Sequence, residues 1–300
     1  MKKNRLGTGS LEVSEIALGC MSLPDDPKES QSIVDQALDL GINYFDTADL
    51  YGKGQNEEMV GKALGSRRQD IILATKVGNQ WDPQSDEVSW NPSKAYITSQ
   101  VHESLRRLGT DWIDLYQLHG GMITDPSEET IEAFETLKKE GLIREYGISS
   151  IRPNVINRFI EESSIVSIMM QYSLFDRRPE EFLDQIGASG RSVVTRGTLA
   201  KGLLTAEALD RAAKTDGYLE YSRNDLNKAL KELLAVEENL TALALHAVLQ
   251  SDTVASAVTG ASSQSQIRET VKAYEMNISA EQIEQAKKIT KQTKYAEHRS

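Results

Sequence analysis

The 300-residue chain has a single cysteine, Cys20. No disulfide can close within it, and such usage fits a reducing compartment. Excess positive charge is also missing. The net charge is −11, which argues against general affinity for nucleic acid or an anionic membrane, since both need a positive field. No apolar stretch approaches the length that spans a bilayer. The opening Met1-Lys-Lys-Asn-Arg is basic, but no apolar run follows it, so no signal peptide is expected. No repeat, low-complexity tract or linker divides the chain. An apolar content of 39% is enough for one large core, so the expectation is one domain over 1–300 in a cytoplasmic protein.

Several chemical signatures are absent. Gly7-Thr8-Gly9 is followed by Glu12, and Gly52-Lys53-Gly54 by Glu57, so neither completes the G-x-G-x-x-G of a doubly wound dinucleotide fold. No serine lies in a G-x-S-x-G elbow. His119 lacks a second His or Cys at ligand spacing, and His102, His246 and His298 sit on helix-like or terminal segments. No metal site is expected.

What is present is a rhythm. Short apolar runs at Ile16–Leu18, Ile42–Phe45, Ile71–Thr75, Trp112–Leu118, Glu145–Ser149, Ile165–Gln171, Val193–Thr195 and Val254–Thr259 read as strands. Helical spacing follows them at 30–40, 56–64, 93–108, 128–139, 155–162, 179–186, 230–249 and 264–273, with a terminal helix at 280–294. Eight βα units imply a parallel sheet closed as a (β/α)8 barrel (the TIM barrel), preceded by a hairpin at 5–15 and ending in extra helices. Two polar stretches, 78–92 and 205–228, read as binding or mobile loops. The first carries Trp81 and Trp90.

In such a barrel every strand's C-terminal end opens on one mouth. Asp46 and Tyr51 follow strand two, Lys76 ends strand three and His119 ends strand four. Taken singly, the Asp reads as a turn cap and the Tyr as a packed ring. Together they suit proton transfer coupled to carbonyl reduction. A free Tyr titrates near ~10 and is a sluggish acid at neutral pH. An ammonium nearby stabilises its phenolate, an Asp keeps that ammonium charged, and a His can orient a substrate oxygen. Asp49 gains no role and reads as a turn residue, and Cys20 as a buried small one.

Two later stretches suggest an anionic ligand. Thr259-Gly260-Ala261-Ser262-Ser263 opens a helix whose free N–H groups suit phosphate, with plain capping by Ser262 or Ser263 as the alternative. Thr195 to Gly202 adds Arg196, Lys201 and two glycines after strand seven.

These stretches resemble the aldo-keto reductase superfamily over nearly the whole chain. The resemblance rests on L-G-x-x-x-x-x-V-S-x-x-x-L-G-C-M at 6–21, F-D-T-A-D-x-Y-G at 45–52, T-K-V at 75–77 and D-x-x-x-L-H at 114–119. It continues with G-x-S-S at 147–150, Q-Y-S-L-F-D-R at 171–177 and G-A-S-S-x-x-Q at 260–266. It implies the same barrel, an NADPH cofactor extended across its mouth (with NADH as the alternative) and reduction of an aldehyde or ketone, with Tyr51 as proton donor. Lys76, Asp46 and His119 would complete the catalytic set. Cofactor contacts would run from Gly19, Met21 and Asp46 through Ser149, Ser150 and Gln171. They would continue through Arg196, Gly197, Leu199 and Lys201 to Gly260, Ser262, Gln266 and Arg268.

There are departures. Arg196 stands where many members stack a Tyr on the nicotinamide, and its plane can stack likewise. Ser150 stands for a carboxamide-contacting Asn. Met169 stands for a Gln, and Gln171, two residues on, shares its face. Ser262 replaces a basic residue, whose charge Arg268 would supply, and Thr270 replaces an Asn. The expected partner is a small carbonyl compound. The competing readings are a nicotinamide-binding sensor with little turnover and a phosphosugar barrel. Neither the substrate nor the oligomeric state is legible in the sequence.

Overall fold

The computed structural model describes residues 1–82, 85 and 87–299. The expected loop at 78–92 therefore lies partly outside the described residues, at Pro83, Gln84 and Asp86. In chain order the strands begin with β1 (Lys3–Arg5), β2 (Glu12–Ser14), β3 (Ile16–Gly19), β4 (Tyr44–Asp46) and β5 (Ile72–Val77). Next come β6 (Asn79–Trp81), β7 (Val88–Trp90), β8 (Ile113–Leu118), β9 (Ile143–Ser149) and β10 (Ser167–Gln171). The last four are β11 (Ser192–Arg196), β12 (Gly217–Tyr218), β13 (Tyr221–Ser222) and β14 (Val254–Gly260).

The helices are α1 (Pro27–Asp39), α2 (Gln55–Leu64), α3 (Lys94–Leu108), α4 (Ser127–Lys139), α5 (Pro153–Glu162) and α6 (Leu183–Ala188). They continue with α7 (Ala208–Ala213), α8 (Arg223–Val236), α9 (Leu240–Leu249), α10 (Gln264–Tyr274) and α11 (Ala280–Ile289).

Eight strands close a parallel barrel in the order β3-β4-β5-β8-β9-β10-β11-β14, and β14 pairs back onto β3. Alternation along the strands makes two cores. Tyr44, Ala74, Leu115, Met169 and Val194 point inward and fill the barrel with the hairpin's Leu6, Leu11 and Val13. Their neighbours Phe45, Leu73, Tyr116, Ile168 and Val193 point outward into the apolar layer under the helices. The β1–β2 hairpin thus plugs the end away from the mouth.

Local chemistry sets the helix ends. Asp26 caps α1 by accepting from the Lys28 and Glu29 N–H groups at 2.9 Å, with Pro27 in the first turn. Ser93 caps α3, and Gly109 ends it in the left-handed region at φ 62°.

The eight strands and the barrel stand where the sequence puts them. Other expectations need correction. The loop at 78–92 contains the antiparallel pair β6–β7. The stretch 205–228 is not a bare loop but holds α7, the β12–β13 hairpin and the start of α8. The helix expected at 230–249 is two, because Glu237 is extended and Asn239 caps a new start by accepting from Ala242 N. The helix expected at 179–186 divides into a 3-10 turn at Arg178–Glu181 and α6. The terminal helix stops at Ile289, and the residues after it cross the barrel mouth.

Candidate active site

One rule places most of the site. Two residues beyond an inward apolar residue, a strand points inward again. So Tyr44 leads to Asp46, Ala74 to Lys76, Leu115 to Gln117 and Val194 to Arg196, at the strands' C-terminal ends. The apolar interior gives way to a polar layer just below the mouth.

Tyr51 is not on a strand and needs its own support. After β4 the backbone keeps pairing with β5: Thr47 N donates to Ala74 O at 2.9 Å and Asp49 N to Lys76 O at 3.2 Å. Thr47 Oγ1 bonds Asn56 Oδ1 at 2.6 Å, and Asn56 Nδ2 donates to Cys20 O at 2.9 Å. Gly52, Lys53 and Gly54 then turn through left-handed backbone, at φ 56°, 51° and 89°, to start α2. Two of those three positions are glycine because other residues are strained there. Tyr51 is therefore held between a locked loop and a helix start.

Lys76 is buried, and its Nζ donates to Asp46 Oδ2 and to Thr47 O, both at 2.7 Å. An ammonium has three donors, so one remains, and Nζ lies 5.2 Å from the centre of the Tyr51 ring. Burial works to lower the Lys76 pKa, but Asp46 and then Tyr51 outweigh it and hold the group above its ordinary value. The ammonium is the stable form. Burial raises the Asp46 carboxyl, and Lys76, Gln117 and Arg196 only partly offset this.

His119 meets Tyr51 edge-on, ring centres 6.0 Å apart. Its backbone is pinned on both sides, N donating to Val77 O at 2.7 Å and O accepting from Asn79 Nδ2 at 3.1 Å. Burial, then the charges of Lys76 and Arg196, lower its pKa to about 3. The imidazole is neutral at neutral pH. Its Nδ1 is buried without a partner, so the other nitrogen is the one free to meet a substrate.

Tyr51 and His119 open on a cavity of about 890 Å³, lined also by Ser149, Ser150, Arg196 and Met21, among others. The profile described as the Aldo/keto reductase family covers residues 15–291. The chain belongs to the aldo-keto reductase family. The "Uncharacterized oxidoreductase YqkF" of Bacillus subtilis is 54% identical over 306 residues, covering 100% of each chain. The structure of aldo-keto reductase AKR11C1 from Bacillus halodurans in its holo form is 53% identical, with 100% of both chains covered and a TM-score of 0.96. Glycerol dehydrogenase AKR11B4 from Gluconobacter oxydans is 27% identical, covering 96% of this chain and 94% of that one, at TM-score 0.84. The protein is an oxidoreductase of this family.

The expected cofactor residues of this aldo-keto reductase fall into two groups. Met21, Ser149, Ser150 and Arg196 line the cavity. Gln171 borders it, its Oε1 accepting from Arg196 Nη1 at 2.9 Å. Met169 is buried in the barrel interior, so it offers no polar group at the mouth. Gly19 pairs in register with Gly260 at the rim. Gly197, Leu199 and Lys201 lie in the turns after β11, where Ala200 and Lys201 are left-handed, at φ 47° and 57°.

The second group lies at the end of β14 and the start of α10, outside the cavity lining. Gln266 Oε1 accepts from Ser262 N at 2.8 Å, and Ser263 caps the helix through Gln266 N. Arg268 Nη1 is directed to Gln36 Oε1 on α1 at 2.7 Å and to Gln264 Oε1 at 3.2 Å. Thr270 Oγ1 bonds Gln266 O within α10. Among the described residues no three His, Cys, Asp or Glu groups gather as for a metal ion, and no helix is long and apolar enough to cross a membrane.

Sequence reasoning missed part of the wall. Residues 294–298 line the cavity, tied down by Tyr295 N to Glu181 and by Asn154 N to His298 O at 2.8 Å. A short tail with one tyrosine carries no signal for this. Trp90 also lines the cavity, with Nε1 donating to both oxygens of Asp125 at 3.0 Å. Trp81 instead lies 5.8 Å from the Arg107 guanidinium. Asp49 is the turn residue expected, but it is fully buried, and neither carboxyl oxygen has a hydrogen-bond partner. Cys20 is buried as expected.

Proposed function

We propose that this aldo-keto reductase reduces aldehydes and ketones to alcohols with a nicotinamide cofactor, NADPH in preference to NADH, and that Tyr51 is the proton donor. The observation that carries the reading is Lys76. Two of its donors are committed to Asp46 and Thr47, and its charge is kept within reach of a phenol that opens on the cavity.

The residues present fit such a cofactor. The Ser149 and Ser150 hydroxyls at the cavity and the Gln171 amide beside it match a carboxamide, and the flat Arg196 guanidinium matches a ring face. A bound nicotinamide would supply the hydride to the carbonyl carbon. Tyr51 gives its proton to the carbonyl oxygen, and the Lys76 ammonium stabilises the phenolate left behind. Asp46 keeps Lys76 charged and placed. Neutral His119 donates a hydrogen bond that polarises and orients the carbonyl. On this reading Gly19, Gly197, Leu199, Lys201, Gly260, Ser262, Gln266 and Arg268 carry the rest of the cofactor. The protein works as one barrel domain in the cytoplasm on small carbonyl compounds. The glycerol dehydrogenase named among its relatives performs chemistry of the same class.

The test is loss of NADPH absorbance with a panel of aldehydes and ketones. Tyr51→Phe should bind NADPH as the wild type does and lose most turnover; unchanged turnover removes Tyr51 as the acid. Tight binding with no turnover on any carbonyl would favour a redox sensor. Absence of nicotinamide binding would defeat both readings.

A further inference from the structure

Gln117 reads in sequence as one polar residue in an apolar strand, D-L-Y-Q-L-H. In the fold it is fully buried and pairs in register with Lys76 across β5 and β8. Its Nε2 stands 3.5 Å from Asp46 Oδ1, the long end of hydrogen-bonding range. Lys76 takes Oδ2 at 2.7 Å. The two carboxylate oxygens are thus divided between an ammonium and a primary amide. The other end of the amide, Oε1, is buried with no partner. Turning the amide over would aim that oxygen at the carboxylate, so this orientation is the one electrostatics favours.

A buried carbonyl oxygen without a donor destabilises a fold, and an apolar side chain of similar length would remove the penalty. A residue kept at such a cost points to a task, and among the described residues the group its amide donor reaches is Asp46. The other groups acting on that carboxyl are Lys76 and Arg196, both cationic. Beside it also lie the buried thiol of Cys20 and the buried phenol of Tyr44, each held in its neutral form by burial first and by Asp46 second.

We propose that Gln117 is a positioning residue for the reaction: it holds the second oxygen of Asp46 so that Lys76 remains an ammonium directed at Tyr51. The role rests on the catalytic reading given above. Without the amide, the proton of Lys76 passes more readily to Asp46. That leaves a neutral pair and a weaker positive field at the phenol.

The test is Gln117→Met, which keeps the length and removes both the donor and the unpaired oxygen. Alcohol oxidation with NADP is followed against pH, since Tyr51 is then the base. The rising limb of kcat should move up by about half a pH unit, a roughly threefold loss at neutral pH, from the modest worth of one long hydrogen bond to a charged group. NADPH affinity should not change, and thermal stability should equal or exceed that of the wild type. An unmoved limb overturns the proposal. So does a variant that is unstable or fails to fold, because the amide would then be structural. A wild type that turns over no alcohol or carbonyl refutes the catalytic reading itself, and this role with it.

Discussion

Replacing Lys76 by Met should damage stability in a way that depends on pH and can be repaired without repairing activity. The substitution keeps most of the apolar stem but removes the charge 2.7 Å from Asp46 Oδ2. Asp46 is buried, so it is left as an ion whose remaining side-chain contact is the long one from Gln117. Breaking a buried pair from one side costs about 3–5 kcal/mol. The molecule has an alternative, which is to protonate Asp46. That costs about 1.4 kcal/mol for each pH unit above an ordinary carboxyl pKa of ~3.9, hence about 4 kcal/mol at pH 7 and about 1.5 at pH 5.

The folded variant then binds a proton that the unfolded chain lacks, so its stability falls as pH rises. Urea unfolding of wild type and Lys76→Met, followed by tryptophan fluorescence at pH 5 and pH 7, measures the difference. Adding Asp46→Asn to Lys76→Met should recover all but about 1–2 kcal/mol at pH 7, since a neutral amide replaces the stranded ion. The pH dependence of the penalty should vanish, and carbonyl reduction should stay lost in both variants. A penalty equal at the two pH values, or a double variant no more stable than the single, would refute the account of the pair.

Two further titrations follow from burial. The folded His119 has a pKa of about 3 against ~6.5 in an unfolded chain, so its contribution is complete above pH 6.5 and is lost as pH falls towards 3. Between pH 7 and pH 5 the wild type should therefore lose about 2 kcal/mol more than His119→Gln, and parallel stability curves would refute this. Asp49 is displaced the other way. Burial, then the charge of Glu57, hold its carboxyl well above the ordinary range, so the folded state keeps a proton that the unfolded state sheds as pH rises. Asp49→Asn should leave the melting temperature nearly unchanged at pH 4 and raise it at pH 8; a gain equal at both pH values would mean that the carboxyl is not held protonated.

Asp46, Lys76 and His119 were legible because a parallel barrel turns a position in a strand into a place in space. Once Ile71–Thr75 reads as a strand, Lys76 must lie at its C-terminal end, and the period of two decides that it points inward with Asp46. Gln117 obeys the same rule, yet its meaning depends on a 3.5 Å approach to a residue 71 positions away, which no spacing encodes. Asp49 shows the opposite limit. Its sequence context is that of a turn, and its burial goes with a chain that there continues to pair with β5 and that brings the carboxyl near Glu57 of α2 and Arg107 of α3.

The cavity wall was the least legible part. Trp90 is fixed by Asp125 from the loop after β8, and the tail by Glu181 from the turn after β10. Sequence by itself determined the eight-unit rhythm, the parallel order and the strand-end places of Asp46, Lys76 and His119, because local periodicity and chain connectivity carry all three. Tertiary structure alone decided which carboxyls are buried, which oxygens go unpaired and which distant segments close over the mouth. Those depend on desolvation and on contacts between residues far apart in the chain, which only packing brings together.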